Sequence, residues 1–379
     1  MSATLNIVAD QQITLAAQVF EQFGHLRLVN GRDITRQMLQ DTEVLLVRSV
    51  TPVNAAMLHD TPVRFVGSAT AGIDHIDVSY LHHNNIEFVY APGSNARSVA
   101  EYVLSSLLQL ARRDSFELAG KSIGIIGVGE VGSRVKSLLE KLGMRCLLND
   151  PPRAEHDDSE EWLPLQALTG ADIITCHVPL TRDGKHPTYR FIDQQFLEQL
   201  KPNVILINTA RGDVIDEDDL LNFIEKQPGA RMVLDVWANE PHINAALLEQ
   251  AEITTAHIAG YSYDGKLNAT RELARALQAW THIDNIAIAE TESEQVTRLD
   301  NEQDAMYEAV MSAYDVTVDS NKLKQTLHLT ATERGACFDK LRRDYPVRRE
   351  FNQVAISMHG VSEQDKLRLQ QLGFALDQS

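Results

Sequence analysis

Short apolar runs alternate with helix-period patterns through roughly the first 280 residues. "LNIVA", "VLLVRS", "RFVGSAT" and "IEFVYAPG" form a first series of strand-like runs. "IGIIG", "RCLLND", "DIITCHVP", "VILINTA", "RMVLDVW" and "EITTAH" form a second. They are rich in β-formers, and several are apolar throughout, as strands of a parallel sheet buried on both faces must be. Between them the spacing predicts helices over 130–142, 193–200 and 216–226. Strands alternating with helices mean open α/β sheets. Two series predict two such domains, each a doubly wound parallel sheet of Rossmann type.

"SVAEYVLSSLLQLARRD", residues 98–114, is a long amphipathic helix placed as a hinge between them. A second long helix over about 265–283 carries the chain out of the second domain and back toward the first. The polar stretch "AETESEQVTRLDNEQD", residues 289–304, reads as a linker. Beyond it "EFNQVAISM" reads as a strand and 322–329 as a helix end, within a smaller α+β segment. The expected domains are 1–97 with about 266–288, then 98–265, then 289–379. There is no internal repeat and no low-complexity tract.

At 379 residues the chain is too long for one ordinary domain. Hydrophobic residues make up 44% and charged residues 23%, ordinary for a globular protein. The net charge of −18 argues against nucleic acid as a partner, because phosphate backbones need basic surfaces. "MSATLNIVADQQ" has no basic start and no apolar core, unlike a signal peptide. No run is long enough to span a bilayer, so no membrane role is expected. Cys146, Cys176 and Cys337 lack zinc or redox spacing. No metal is expected, and the cytoplasm is the expected location.

Chemistry enters with "KSIGIIGVGEVGSRV". Gly127, Gly129 and Gly132 follow an apolar strand and open a helix, with Glu130 and Val131 in the same turn. The first glycine makes the turn, the second lets a pyrophosphate approach, and the third lets helix pack on strand. The helix N-terminus offers free N–H groups to phosphates. Asp150 ends the next strand, where a carboxylate accepts both ribose hydroxyls and repels a 2′-phosphate; this favours NAD over NADP. Arg153 nearby is the residue that could tolerate NADP.

An enzyme that oxidises an alcohol with a nicotinamide needs a base for the hydroxyl proton, and histidine suits it. A hydroxy acid would need an arginine for its carboxylate. A carboxylate beside the histidine would hold the imidazolium. Arg211 follows "VILINTA", Glu240 follows "VLDVWANE" and His257 follows "EITTA". In an open α/β sheet the carboxyl ends of the strands line the ligand crevice. Each residue also has a plain reading as a turn, a loop or a strand-end histidine.

The segments "GIIGVGEVG", "NTARGDVIDEDDL", "LDVWANEP" and "TAHIAG" resemble the signatures of D-isomer-specific 2-hydroxy-acid dehydrogenases over roughly residues 40–285. The resemblance implies that Arg211 binds the substrate carboxylate, that Glu240 pairs with His257, and that His257 is the acid/base. It also implies cofactor contacts at Val178, Thr209, Ala210, Asp235 and Gly260, and a substrate cleft between domains. "LLVRSVTPVN" with Arg48 and Ser49, "VGSATAGIDHID" with Thr70, "AGYSYDGK" with Tyr261, and the C-terminal "LRRDYPVRREF" resemble one branch of that family. That branch takes a phosphorylated hydroxy acid and pairs its subunits through a third domain. The implied substrate contacts are Ser49, Thr70 and Tyr261, and the implied assembly is a homodimer.

A substrate phosphate needs further cations. Arg48 ends an apolar strand, and Arg342, Arg343, Arg348 and Arg349 form a basic knot. The expectation is that Arg48, with an arginine of the partner's knot, holds the phosphate; the competing reading of the knot is a solvated basic face or a dimer contact. His75, His82 and His83 are expected in one helix without a metal role. His177 could orient cofactor or be structural, and His186 lies in a polar loop. Two other functions keep the same fold: a dehydrogenase of the family for another acid such as 3-phosphoglycerate, and an NAD(H)-sensing scaffold of corepressor type.

Overall fold

A computed structural model describes residues 5–283, 286–287, 295–299, 304–358 and 361–377. The chain divides into two compact units, Met1–Asn95 with Ser262–Ser293, and Ala96–Tyr261 with Glu294–Ser379.

In the first unit, strands β1 (Leu5–Asp10), β2 (Gly24–Val29), β3 (Val44–Val47), β4 (Phe65–Ser68) and β5 (Glu87–Tyr90) form a parallel sheet in the order β2-β1-β3-β4-β5. Alternate residues serve opposite faces. Ile7, Ala9, Val44 and Leu46 pack with Leu273, Ala274 and Leu277 of the helix Tyr263–Thr281. Val8, Leu45 and Val47 pack with Leu39, Leu58 and Leu81 on the other side. Covered faces explain why these strands read as unbroken apolar runs. β2 was absent from the expected series. It is the edge strand, and its run "GHLRLV" leaves residues exposed between half-buried ones, so it carries no continuous apolar signal.

In the second unit, β6 (Ser122–Ile126), β7 (Arg145–Asn149), β8 (Ile173–Cys176), β9 (Ile205–Asn208), β10 (Arg231–Leu234) and β11 (Ile253–Thr254) form a six-stranded parallel sheet, β11-β10-β9-β8-β6-β7. All six lie in the expected runs. The helices Ala96–Asp114, Glu130–Glu140 and Glu217–Lys226 lie within three residues of their expected bounds, and a four-residue helix, Gln194–Leu197, occupies the middle of the expected 193–200. Caps set two of the starts: Asp193 accepts from Phe196 N, and Asp216 from Asp218 and Asp219 N.

The C-terminal residues add β12 (Gln295–Leu299), β13 (Val354–Met358) and β14 (Ala375–Asp377), a three-stranded parallel sheet in that order. β12 lies inside the stretch expected to be a linker; its charged, polar composition hid an edge strand, while 289–294 and 300–303 lie outside the described residues. The helices Ala305–Ala313, Val316–Lys324, Ala331–Arg343 and Glu363–Leu372 complete this part. Its apolar side chains join the cores of the second unit. Phe351, Val354, Ile356 and Leu369 share a cluster with Leu104, Ile123 and Ile207, and Leu323 and Phe338 share one with Leu206, Leu234 and Leu247. No described helix is long and apolar enough to cross a membrane.

Phe338 is fully buried in that second cluster. Phe338→Ala should therefore cost about 3–5 kcal/mol, read as a lower urea midpoint for unfolding followed by tryptophan fluorescence.

Candidate active site

Strand register builds the site. In the second sheet Asn149, Ile126, Cys176, Asn208, Leu234 and Thr254 pair side by side across six strands. The next residue of each strand is Asp150, Gly127, His177, Thr209, Asp235 and Thr255. One edge of one sheet therefore carries the glycine-rich turn, the strand-end acid and the three chemistry-bearing loops.

Gly127 has φ +85, and a Cβ there would sit 2.8 Å from the carbonyl carbon of His177 and from Val178. A Cβ on Gly132 would lie 2.0 Å from the oxygen of Gly127. Both positions require glycine. A Cβ on Gly129 would meet nothing within 4 Å, so the turn is open there to an incoming group. Asp150 accepts from Val128 N at 2.8 Å through Oδ2 and from Arg153 N at 3.1 Å through Oδ1. Arg153 donates back to Val128 O at 2.5 Å and to Asp157 at 3.0 Å, with its guanidinium over the Trp162 ring. A glycine cradle beside a helix start and a strand-end carboxylate fits a dinucleotide.

His257 has φ +54, in the left-handed region where non-glycine residues are uncommon. Its Nδ1 lies 2.8 Å from Glu240 Oε2. Glu240 Oε1 accepts from Trp237 N at 3.0 Å. Burial pushes the Glu240 carboxyl up, but His257, Arg342 and the Trp237 N–H outweigh it and hold it below the usual carboxylate range. The Glu240 loop is braced by Glu217, which accepts from Ala238 N at 2.8 Å. Arg211 begins the turn after β9. It is half-buried, its Nη1 donates to Ala210 O at 2.7 Å, and its carbonyl accepts from Asn208 Nδ2. Gly212 lets that turn press on the Glu240 loop: a Cβ there would lie 1.8 Å from the carbonyl carbon of Trp237.

Asp235 is fully buried. It accepts from Thr255 Oγ1 at 2.6 Å, Ile258 N at 2.7 Å and Ala259 N at 3.0 Å. Tyr261 follows the same loop, and Arg342 Nε donates to its hydroxyl at 3.2 Å. Among the described residues no cluster of three or more His, Cys, Asp or Glu could hold a metal.

Residues 97–259 match the model of the D-isomer specific 2-hydroxyacid dehydrogenase NAD-binding domain, and 287–373 match one described as a domain of unknown function. Curated relatives named erythronate-4-phosphate dehydrogenase match almost end to end. The one from Marinobacter nauticus is 40% identical over 98% of this chain and 99% of its own. The one from Salinibacter ruber is 42% identical over 93% and 94%. The chain belongs to the erythronate-4-phosphate dehydrogenase branch of the D-isomer specific 2-hydroxyacid dehydrogenases.

Solved structures with the fold of this family include D-lactate dehydrogenase from Aquifex aeolicus, complexed with NAD and lactic acid. It has TM-score 0.62 and 22% identity, covering 76% of this chain and 100% of that one. The NAD-bound 3-phosphoglycerate dehydrogenase of Entamoeba histolytica has TM-score 0.65 and 21% identity, covering 76% and 99%. As a member of the family the chain is an NAD-dependent oxidoreductase, and residues 97–259 are its NAD-binding domain.

Two expectations change. Arg348 and Arg349 are buried, not a solvated basic face; Arg348 donates to Ala259 O and Ser98 O of its own chain and stacks on Tyr314. Of the knot, Arg343 is exposed and pairs with Asp344. His75 precedes the helix Val78–His83 that holds His82 and His83, and its Nε2 lies 2.9 Å from Ser68 Oγ. His177, left open from sequence, has its ring nitrogens 3.0 Å from Thr175 Oγ1 and 3.2 Å from Thr209 Oγ1. In the first unit, Arg48 Nε donates to buried Asp10 at 2.9 Å and Nη2 to Gln12 at 2.7 Å. Ser49 is exposed, and Thr70 donates to Gly72 O at 2.7 Å. The sequence reading missed the braces Glu217 and Arg342. Glu217 sits in the quoted signature "NTARGDVIDEDDL" as a helix-start acid; Arg342 lies about 100 residues from Glu240, with no local pattern linking them.

Burial pushes the His177 imidazole down to about 3. The unfolded chain protonates this ring near pH 6.5 and the folded one refuses the proton, so stability falls as pH drops from about 6.5 toward 3, by at most about 1.4 kcal/mol per unit. His177→Gln should flatten the acid side of a plot of Tm against pH.

Proposed function

We propose that this protein oxidises 4-phospho-D-erythronate at C2 to 2-oxo-3-hydroxy-4-phosphobutanoate, with NAD as acceptor, as a step of pyridoxal 5′-phosphate (vitamin B6) synthesis. It works in the cytoplasm as a homodimer paired through its C-terminal segment. The observation that carries the reading is the 2.8 Å pair between His257 Nδ1 and Glu240 Oε2, one strand away from Arg211 on the same sheet edge.

Nδ1–H donates to an ionised Glu240, which fixes the tautomer and leaves Nε2 as the acceptor. Nε2 removes the C2 hydroxyl proton while Arg211 holds the C1 carboxylate. Glu240 then stabilises the imidazolium. NAD, when bound, takes up the hydride that leaves C2. Gly127, Gly129, Glu130, Val131 and Gly132 would hold its pyrophosphate at the start of the helix Glu130–Glu140. Asp150 spends one lone pair of each oxygen on a backbone N–H and keeps others for the ribose hydroxyls. Val178, Thr209, Ala210, Arg211, Asp235 and Gly260 would make the remaining cofactor contacts. Arg153, drawn onto Val128 O and Asp157, is committed away from a 2′-phosphate.

Ser49, Thr70 and Tyr261 contact the substrate by hydrogen bonds, and Arg48 meets the phosphate. Asp10 and Gln12 fix the Arg48 guanidinium and so lower the entropy of that contact. The buried position of Arg348 and Arg349 leaves Arg48 as the better supported phosphate ligand.

Formation of NADH is expected with 4-phosphoerythronate and not, at comparable kcat/KM, with 3-phosphoglycerate or D-lactate. His257→Asn should lose about 10²–10⁴ in kcat while still binding NADH, read as a change in NADH fluorescence on titration. Undiminished turnover in that variant, or preference for 3-phosphoglycerate, overturns the reading. Sedimentation at twice the chain mass tests the dimer.

A further inference from the structure

The helix Ala331–Arg343 starts at a capping box, in which Thr330 and Glu333 satisfy each other's backbone N–H groups. Phe338 fixes the middle of the helix in the core. Four residues on, one turn further along the same face, Arg342 lies over the Phe338 ring at 5.9 Å. Its side chain is 17% exposed, so this is not a surface charge. Nε donates to the Tyr261 hydroxyl, the guanidinium lies over the Tyr261 ring at 5.6 Å, and Nη1 is 3.8 Å from Glu240 Oε2. Tyr261 is also held edge-on by Tyr345 of the same segment.

Oε2 is the oxygen that receives His257 Nδ1. Glu240 is thus gripped from three places: the Trp237 backbone after β10, His257 after β11, and Arg342 from a helix far along the chain. The charged and titratable groups acting on Arg342 are Tyr261, Glu240 and Asp235; those acting on Glu240 are His257 and Arg342.

We propose that Arg342 is a positioning residue, through which the folded C-terminal segment fixes Glu240 against His257 and tethers Tyr261. The inference rests on reading Glu240 and His257 as the acid/base pair. A fixed positive charge at Glu240 opposes a second positive charge on the neighbouring imidazole.

Diethyl pyrocarbonate attacks the uncharged imidazole, so its reaction with His257, mapped by peptide mass spectrometry across pH, reads this proton without any substrate. In Arg342→Met the pH at which His257 becomes reactive should move up by about 0.5–1 unit. In Arg342→Lys it should return most of the way, because the charge is restored. The exposed His82 and His83 should be unmoved in every variant. Should Arg342→Met not fold, Arg342→Gln, which can keep a hydrogen bond to Tyr261 without the charge, is expected to shift as the Met variant does. The acidic limb of kcat/KM with 4-phosphoerythronate should move in step. An unchanged His257 profile in the neutral variants, whatever their turnover, overturns the proposal. A wild-type enzyme that makes no NADH from 4-phosphoerythronate overturns the functional reading instead and leaves the modification profile to decide this one.

Discussion

The buried carboxylate of Asp235 is the constraint on which the site depends. Four bonds converge on this residue: Thr255 Oγ1, Ile258 N and Ala259 N donate to its side chain, and His257 N donates to its backbone oxygen at 2.7 Å. They wrap the chain around a single point and drive His257 into the left-handed region. A non-glycine residue there costs on the order of 1–3 kcal/mol, and charge-assisted bonds at a buried acceptor can offset it. Burial itself pushes the Asp235 carboxyl up, against the pull of His257 and the three donors. The residue therefore has structural work of its own, whatever it also offers a nicotinamide.

Close approach of backbones does the rest. The Arg211 turn, the Glu240 loop and the His257 loop leave adjacent parallel strands at the same height. Gly212 removes the side chain that would hold the first two apart. Trp237 then stitches the second to the third, since its Nε1 donates to Thr255 O at 2.9 Å while its backbone N–H fixes Glu240. A parallel sheet gives three reactive side chains a common edge without long-range pairing of their own, and backbone contact sets their final spacing. The glycine-rich turn obeys the same logic, with Gly132 against the oxygen of Gly127.

Much of this was legible along the chain because the relevant signals are local. Doubly covered strands announce themselves as apolar runs, and Gly127, Gly129 and Gly132 fall at a fixed spacing after one of them. Arg211, Glu240 and His257 stand just past strand ends, where an α/β sheet exposes its ligands. What escaped was what has no local signature. β2 is an edge strand whose exposed and half-buried residues follow no clean period of two, and β12 is an edge strand with polar and apolar residues mixed along its sequence. Arg348 reads as surface charge because it stands with three other arginines in the polar stretch "LRRDYPVRREF". It is buried by a π-stack on Tyr314 and two carbonyls, partners between 34 and 250 residues away. Arg342 reaches Glu240 in the same non-local way.

Those two arginines also say why the C-terminal segment shares a unit with the nucleotide-binding sheet. Arg348 holds Ala259 O, two residues past His257; Arg342 holds Tyr261, four residues past it. Beside Arg348, burial and then the neighbouring Glu350 push the Glu101 carboxyl up to about 8, against Arg348, the Phe351 N–H and Arg97. The guanidinium of Arg348 lies over the Tyr314 ring and donates to two carbonyls. A cation anchored this way cannot wander to the surface without unpacking Tyr314 and freeing the Ala259 carbonyl. The segment is therefore part of the frame of the His257 loop: Asp235 holds that loop from within the sheet, and the two arginines hold its far end.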